Sequence, residues 1–225
     1  AVPFSGEYGI SKNPESFASE SFRAYFTDKQ RGAVLRLSKD GLTPISDYGM
    51  KDWFKDNLKL NNTILGSYDS RNLDYNITLN ATSNNREPKT VSFSEDVKGW
   101  VSFKSFIPEN AISVSGNYYT FLDGKAYKHY VEILDAITNE DTNRNTFYGN
   151  SPHASHVEVL LNESPGFIKS FNTLNYEGSQ SRVDQFTTTT INGVDYTDGE
   201  YYNLGQDKKG WYVEKVLTDM QDGTL

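Results

Sequence analysis

The sequence predicts an all-β protein of antiparallel meander sheets, with one short helix near residues 47–58. Three observations predict it. Tyr, Phe, Val, Ile and Thr fall in short runs that alternate with polar residues. Clusters of Gly, Asp, Asn and Ser break those runs at roughly the 8–12-residue spacing of consecutive hairpins. Met50, Trp53, Phe54 and Leu58 are the one apolar set that repeats at helical spacing. Repeated small meanders have the layout of propeller blades, and a β-sandwich is the alternative. A loose internal echo favours blades. Lys98-Gly99-Trp100-Val101 resembles Lys209-Gly210-Trp211-Tyr212-Val213, and residues 31–45 and 116–130 share a strand, Asp-Gly turn, strand order.

In chain order, Asn13-Pro14-Glu15 predicts a short helical turn with Pro in the tolerated first position. Strands are expected at Phe22–Thr27, Ala33–Leu37 and Leu42–Ile45, with turns at Asp28-Lys29-Gln30 and Lys39-Asp40-Gly41. Ser46 or Asp47 is the expected N-cap of the helix, because a short side-chain oxygen can satisfy its free N–H groups. Ile64–Tyr68 and Asp74–Leu79 are expected to pair around Asp69–Asn72. Ala81–Lys89 is polar and contains Pro, so it reads as a linker or long loop. It would divide a first unit, residues 1–80, from a second, residues 90–225. Strands then follow at Thr90–Phe93, Trp100–Phe106, Ala111–Val114, Asn117–Leu122 and Ala126–Ile133, with Asp123-Gly124 as a strong hairpin signal. His156–Leu161 and Phe167–Phe171 read as strands. So does the Thr run Thr187–Thr190, and further strands surround turns at Asn192-Gly193, Asp198-Gly199 and Lys209-Gly210. The start AVPFSGEYG has no initiator Met and no signal-peptide pattern, and the end MQDGTL falls at a turn. A piece of a longer polypeptide is the expectation.

Composition narrows function by exclusion. The chain has 225 residues, 22 Lys plus Arg against 30 Asp plus Glu, and a net charge of −8. Duplex nucleic acid rewards clustered cations, so no nucleic-acid partner is expected. No apolar run approaches the roughly 20 residues of a membrane span. Without Cys there is neither a disulfide framework nor thiol or Cys–zinc chemistry. No cofactor is expected, since P-loop and GxGxxG patterns are absent, as is the GxSxG of a serine hydrolase.

Few constellations carry chemistry. His153 and His156 are the only close His pair, and with no third ligand at hand they read as loop histidines. His129 reads as a surface or strand residue. Acidic groups at Glu95-Asp96, Asp135, Glu140-Asp141, Asp195 and Asp198-Gly199-Glu200 lie in turn-like stretches and read as solvated. No catalytic residue is assigned. Aromatics are 14% of the chain. Trp100, Trp211, Tyr119 and Tyr202 are candidates for stacking on a glycan, though core and cross-strand packing is the plainer role for such rings. In the pairs Tyr118-Tyr119 and Tyr201-Tyr202, strand geometry turns one ring in and one out. Asn61, Asn76, Asn80 and Asn162 head Asn-x-Ser/Thr triplets, which matter only in a secretory eukaryotic setting.

Residues 20–58 (ESFRAYFTDKQRGAVLRLSKDGLTPISDYGMKDWFKDNL), 64–79, 90–111, 116–130, 145–150, 162–183 (NESPGFIKSFNTLNYEGSQSRV) and 200–224 carry a resemblance. Read together, the sequence resembles large virion structural proteins of tailed bacteriophages, especially marine myovirus-like phages. The resemblance implies a non-enzymatic building block in or near the tail, with a propeller-like all-β body. Its partners would be other virion proteins and, where blade edges stay open, copies of itself. Its location would be the virion, assembled in the bacterial cytoplasm, where an acidic chain without Cys is at home. Two rival readings stand beside it. A carbohydrate-binding module for a host surface glycan would show exposed aromatics on a shallow groove. A glycan-degrading tail enzyme would show two converging carboxyls, one with a raised pKa.

Overall fold

The computed structural model describes residues 7–10, 12–61, 63–80, 87–131, 145–150, 152–161, 164 and 166–170, and the strand backbone at 133–135, 140–141, 188–191, 194–197, 215–217 and 222–224. It divides into two units, residues 1–159 and 160–225. The described part is mostly β, with three antiparallel sheets of consecutive strands, further two-stranded pairs and one short α-helix.

The first sheet runs β1 (Ala18–Glu20), β2 (Arg23–Asp28), β3 (Ala33–Ser38) and β4 (Gly41–Pro44) in chain order. β1 departs from the sequence expectation. Glu20 pairs with Arg23, so Phe22 sits in the tight turn between them and is 86% exposed. The expected turn at Asn13-Pro14 is a 3-10 turn, Pro14–Ser16. The helix starts later than its expected caps. Ile45–Asp47 is also a 3-10 turn, and Gly49 adopts a left-handed φ of 80°. That conformation breaks the helical path, so α1 spans Lys51–Leu58 with Met50 at its N-cap and no side-chain cap. Phe54 and Leu58 are fully buried on its inner face, and Met50 and Trp53 flank them.

The second sheet is β5 (Ile64–Asp69), β6 (Asp74–Leu79), β7 (Lys89–Ser94) and β8 (Gly99–Lys104). Leu79 pairs with Lys89, so residues 80–88 connect neighbouring strands of one sheet. This corrects the expectation of two sheet groups, 1–80 and 90–225, separated at that loop. A bulge sets Trp100 opposite Phe93 while Ser102 faces Ser92, leaving Val101 as the extra residue.

Both faces of this sheet are covered over β5–β7, while β8 is partly exposed. Tyr75, Ile77, Leu79 and Phe93 form its apolar face and pack with Tyr25, Val34, Ile45, Phe54 and Leu58 in the main core. The opposite face is polar, yet Ser67, Asn76, Thr78, Thr90 and Ser92 are each no more than 5% exposed. They satisfy one another: Thr78 and Thr90 share a hydrogen bond of 2.8 Å, Ser92 donates to the Asn76 carbonyl, and the Thr90 hydroxyl donates to the Phe106 carbonyl at 2.6 Å. Buried polar groups are tolerated where they are paired in this way.

The third sheet, β9 (Asn110–Val114), β10 (Asn117–Leu122) and β11 (Lys125–Lys128), meets that polar face through Tyr118. Ser115-Gly116 and Asp123-Gly124 make its tight turns, all four residues at positive φ, as two-residue hairpins with a primed turn require. The expected strand Ala126–Ile133 is broken by Tyr130, at φ 59°. β12 (Ile133–Asp135) resumes beyond it and pairs with β13 (Glu140–Asp141). The segment 152–161 holds no strand and its side chains are exposed, contrary to the strand expected at His156–Leu161. Residues 167–170 likewise belong to no strand.

In the second unit, β14 (Thr188–Ile191) pairs with β15 (Val194–Thr197), Ile191 facing Val194 as an Asn192-Gly193 hairpin predicts. β16 (Lys215–Leu217) pairs with β17 (Asp222–Thr224). The turns expected at Asp198-Gly199 and Lys209-Gly210 lie outside the described residues. Among the described residues no helix is long and apolar enough to cross a membrane.

Candidate functional site

Of the four expected glycan-stacking residues, Trp211 and Tyr202 lie outside the described residues. Trp100 packs between Phe54 and Phe93, with ring centroids 4.4 and 5.3 Å away, and its indole N–H donates to the Ile45 carbonyl at 3.0 Å. Its ring serves the core margin. Tyr119 lies on β10, opposite Ile112 and Lys128, on the face away from Tyr118. Tyr118 is fully buried and Tyr119 is half-buried, the division that strand alternation predicts. The structure does not bring Trp100 and Tyr119 together: one lies in β8 and packs on α1, the other in the third sheet.

Of the acidic groups expected in solvent, Asp96 is exposed as expected, whereas its neighbour Glu95 is structural. Glu95, in the turn after β7, has only 12% of its side chain exposed. It accepts from the Tyr25 hydroxyl at 2.9 Å and from Arg36 at 2.8 Å, with Arg23 at 3.8 Å. Asp28 is fully buried. Burial alone would raise its pKa, but the backbone N–H groups of Arg31 and Gly9, and then the Arg31 guanidinium, hold it below the usual range.

Asp69 and Asp74 are cross-strand partners at the β5–β6 turn and both are buried. Burial raises the pKa of Asp74; Lys104 opposes this, and Asp69 adds to it. A raised carboxyl beside a second carboxyl is the pattern of an acid–base pair, but here Asp69 is held in the turn. It accepts from the Arg71 and Asn72 backbone N–H groups at 2.9 and 3.3 Å and from the Tyr130 hydroxyl. Arg71 lies over the Tyr130 ring, 5.3 Å from its centroid. The pair therefore closes a hairpin.

His129 corrects the expectation of a surface or strand residue. It is 7% exposed, in a bend beyond β11, ringed by Phe106, Tyr118 and Phe147. Its Nε2 shares a 2.8 Å hydrogen bond with the Thr120 hydroxyl. Burial pushes its pKa down to about 4, although Asp69 acts the other way. The depressed value means the folded state holds this ring neutral, so its contribution is complete above the ordinary His pKa and is lost as pH falls toward 4. Between neutral pH and pH 5 the loss from this one group is about 2 kcal/mol. Urea titrations at the two pH values should show this slope flatten in His129→Gln. An unchanged slope would exclude a buried neutral ring. His153 and His156 are exposed. Among the described residues no three His, Asp or Glu side chains gather to hold a metal.

The surface that stands out is apolar. Asn110, Ile112 and Val114 of β9, Asn117, Tyr119 and Phe121 of β10, and Ala126 and Lys128 of β11 share the outward face of the third sheet through their pairing register. Ile112 and Val114 are 51% and 50% exposed, and Phe121 is 37%. The opposite face buries Tyr118 and Thr120.

Buried carboxylates bound into internal networks and an outward apolar sheet face thus mark the described part of this β-protein. Residues 3–124 match the family model of the crassvirus muzzle protein, and residues 142–209 match that of the crassvirus muzzle protein C-terminal domain. The chain belongs to the crassvirus muzzle protein family. It is thus a bacteriophage virion structural protein, with other virion proteins as partners and the virion as its location. The expected resemblance holds at that level; its narrower form, a marine myovirus-like protein, gives way to the crassvirus family. No curated protein matches the chain.

Proposed function

We propose that the chain is a non-enzymatic, tail-associated component of the phage virion that acts by protein–protein assembly. The observation that carries this is the outward row of Ile112, Val114, Tyr119 and Phe121 on the third sheet. Exposed apolar patches with aromatic members, edged by polar residues, suit contact with another protein. Membership of a virion protein family supports the same reading. The buried carboxylates are engaged with arginines, tyrosines and backbone N–H groups of the fold itself.

The test is to purify virions, separate tails from capsids, and digest each fraction for mass spectrometry. Peptides of this chain at stoichiometric abundance in the tail fraction are expected. Recovery with capsids alone would overturn the tail association. Absence from particles, with the protein confined to infected-cell lysate, would overturn the structural reading altogether.

A further inference from the structure

We propose that His156–Val159 is an intermolecular strand that pairs antiparallel with the edge strand β11 of a second copy of this chain. The proposal rests on the assembly reading above and names its partner. The segment has the alternation of a strand, His-Val-Glu-Val, which is why the sequence predicts one there. In the structure it belongs to no sheet, and Val157 and Val159 are 69% and 65% exposed. Exposed apolar alternation without a partner strand is an aggregation liability unless an edge receives it.

The third sheet offers such an edge. β11 ends that sheet, paired to β10 alone, and Lys125, Ala126 and Lys128 are exposed. Setting Val157 opposite Ala126 fixes the register. Val157 then extends the outward row Asn110, Phe121, Ala126. The same register puts Glu158 opposite Lys125 and His156 opposite Tyr127. Directly opposed charges of unlike sign favour a cross-strand pair. Glu158 is the one acidic residue of the segment, and it meets a basic edge in a chain whose net charge of −8 otherwise opposes self-association. Both halves of the contact belong to this chain, so identical copies complete it. Head-to-tail contacts of this kind close into rings or continue as filaments. Strand addition of this type takes its affinity from main-chain hydrogen bonds and its register from the side chains.

The chain has no Cys, so cross-linking reports only introduced positions. Full-length Val157→Cys and Ala126→Cys chains are mixed under mild oxidation, because opposed antiparallel positions lie within disulfide reach. A mixed disulfide dimer is expected that neither variant forms alone. Val157→Cys mixed with Asp40→Cys serves as the control and should stay monomeric. Glu158→Lys should cut the dimer yield several-fold, and Lys125→Glu on the partner should restore it. No mixed dimer, with both variants retaining the wild-type circular dichroism spectrum, would overturn the proposal. So would an intrachain bond as the sole product of a Val157→Cys/Ala126→Cys chain. Peptides found in virion tails, while the Cys variants give no mixed dimer, would leave the assembly reading standing and remove only the strand pairing.

Discussion

Gly66→Ala is expected to destabilise the protein by at least about 3 kcal/mol, lowering Tm by about 6–12 °C for a chain of this size. The reason is a close approach of two backbones. A Cβ on Gly66 would lie 1.9 Å from the Ser16 carbonyl oxygen, 2.5 Å from its carbon and 3.0 Å from the Tyr75 hydroxyl oxygen. Ser16 cannot step aside cheaply. Its carbonyl accepts from Tyr75 at 2.7 Å, its hydroxyl donates to the Asn13 carbonyl at 2.7 Å, and that hydroxyl accepts from the Thr27 N–H at 3.0 Å. Relief therefore means pulling the Pro14–Ser16 turn off β5 and breaking the buried bonds to Tyr75 and Thr27. Gly9→Ala is the control, since nothing lies within 4 Å of its added Cβ. Thermal melts in which the two variants match would sink this account.

Glu95→Ala is expected to cost about 3 kcal/mol. The carboxylate ties the turn after β7 to the first sheet, and its loss strands the Arg36 guanidinium, whose side chain is only 17% exposed, together with the Tyr25 hydroxyl. Arg36 is already short of partners, because its Nε makes no hydrogen bond. Tyr25 stays a donor throughout: burial, then the bond to Glu95, pushes its pKa far above the ordinary tyrosine value. Glu95→Gln keeps an acceptor for Tyr25 and should lose about half as much. Adding Arg36→Met to Glu95→Ala should recover part of the loss, because it removes the stranded charge. Urea unfolding checks all three. Equal, small losses for Ala and Gln would mean the cluster is a solvent-screened surface pair.

What the sequence discloses is local. Hairpins at Asp69–Asn72 and Asp123-Gly124 are readable because turn residues and alternation sit within a few positions of each other. The helix was readable from Trp53, Phe54 and Leu58, but its start was not: Ser46 and Asp47 look like caps, and only Gly49's left-handed backbone moves the start to Lys51. Long-range facts were hidden. Glu95 looks like any acidic turn residue until Tyr25 and Arg36, 70 and 59 positions away, arrive beside it. His129 sits between Lys128 and Tyr130, a polar neighbourhood in sequence, and is buried by Phe106, Tyr118 and Phe147. Alternation at 156–161 announced extended chain, but pairing needs an edge, which no local pattern supplies. The outward apolar row was legible only in part. The sequence marked Tyr119 but not Ile112 or Val114, whose exposure depends on what covers the other face.

The order of the strands has a consequence for synthesis. In all three sheets each strand bonds to its immediate predecessor in the chain, with no crossover. Sequence-local pairing of this kind incurs little loop-closure entropy and favours rapid folding. The first four strands can close as a sheet before β5 has left the ribosome, and each later sheet can do the same in turn. Within these three sheets no strand waits for a ladder partner made much later in the chain.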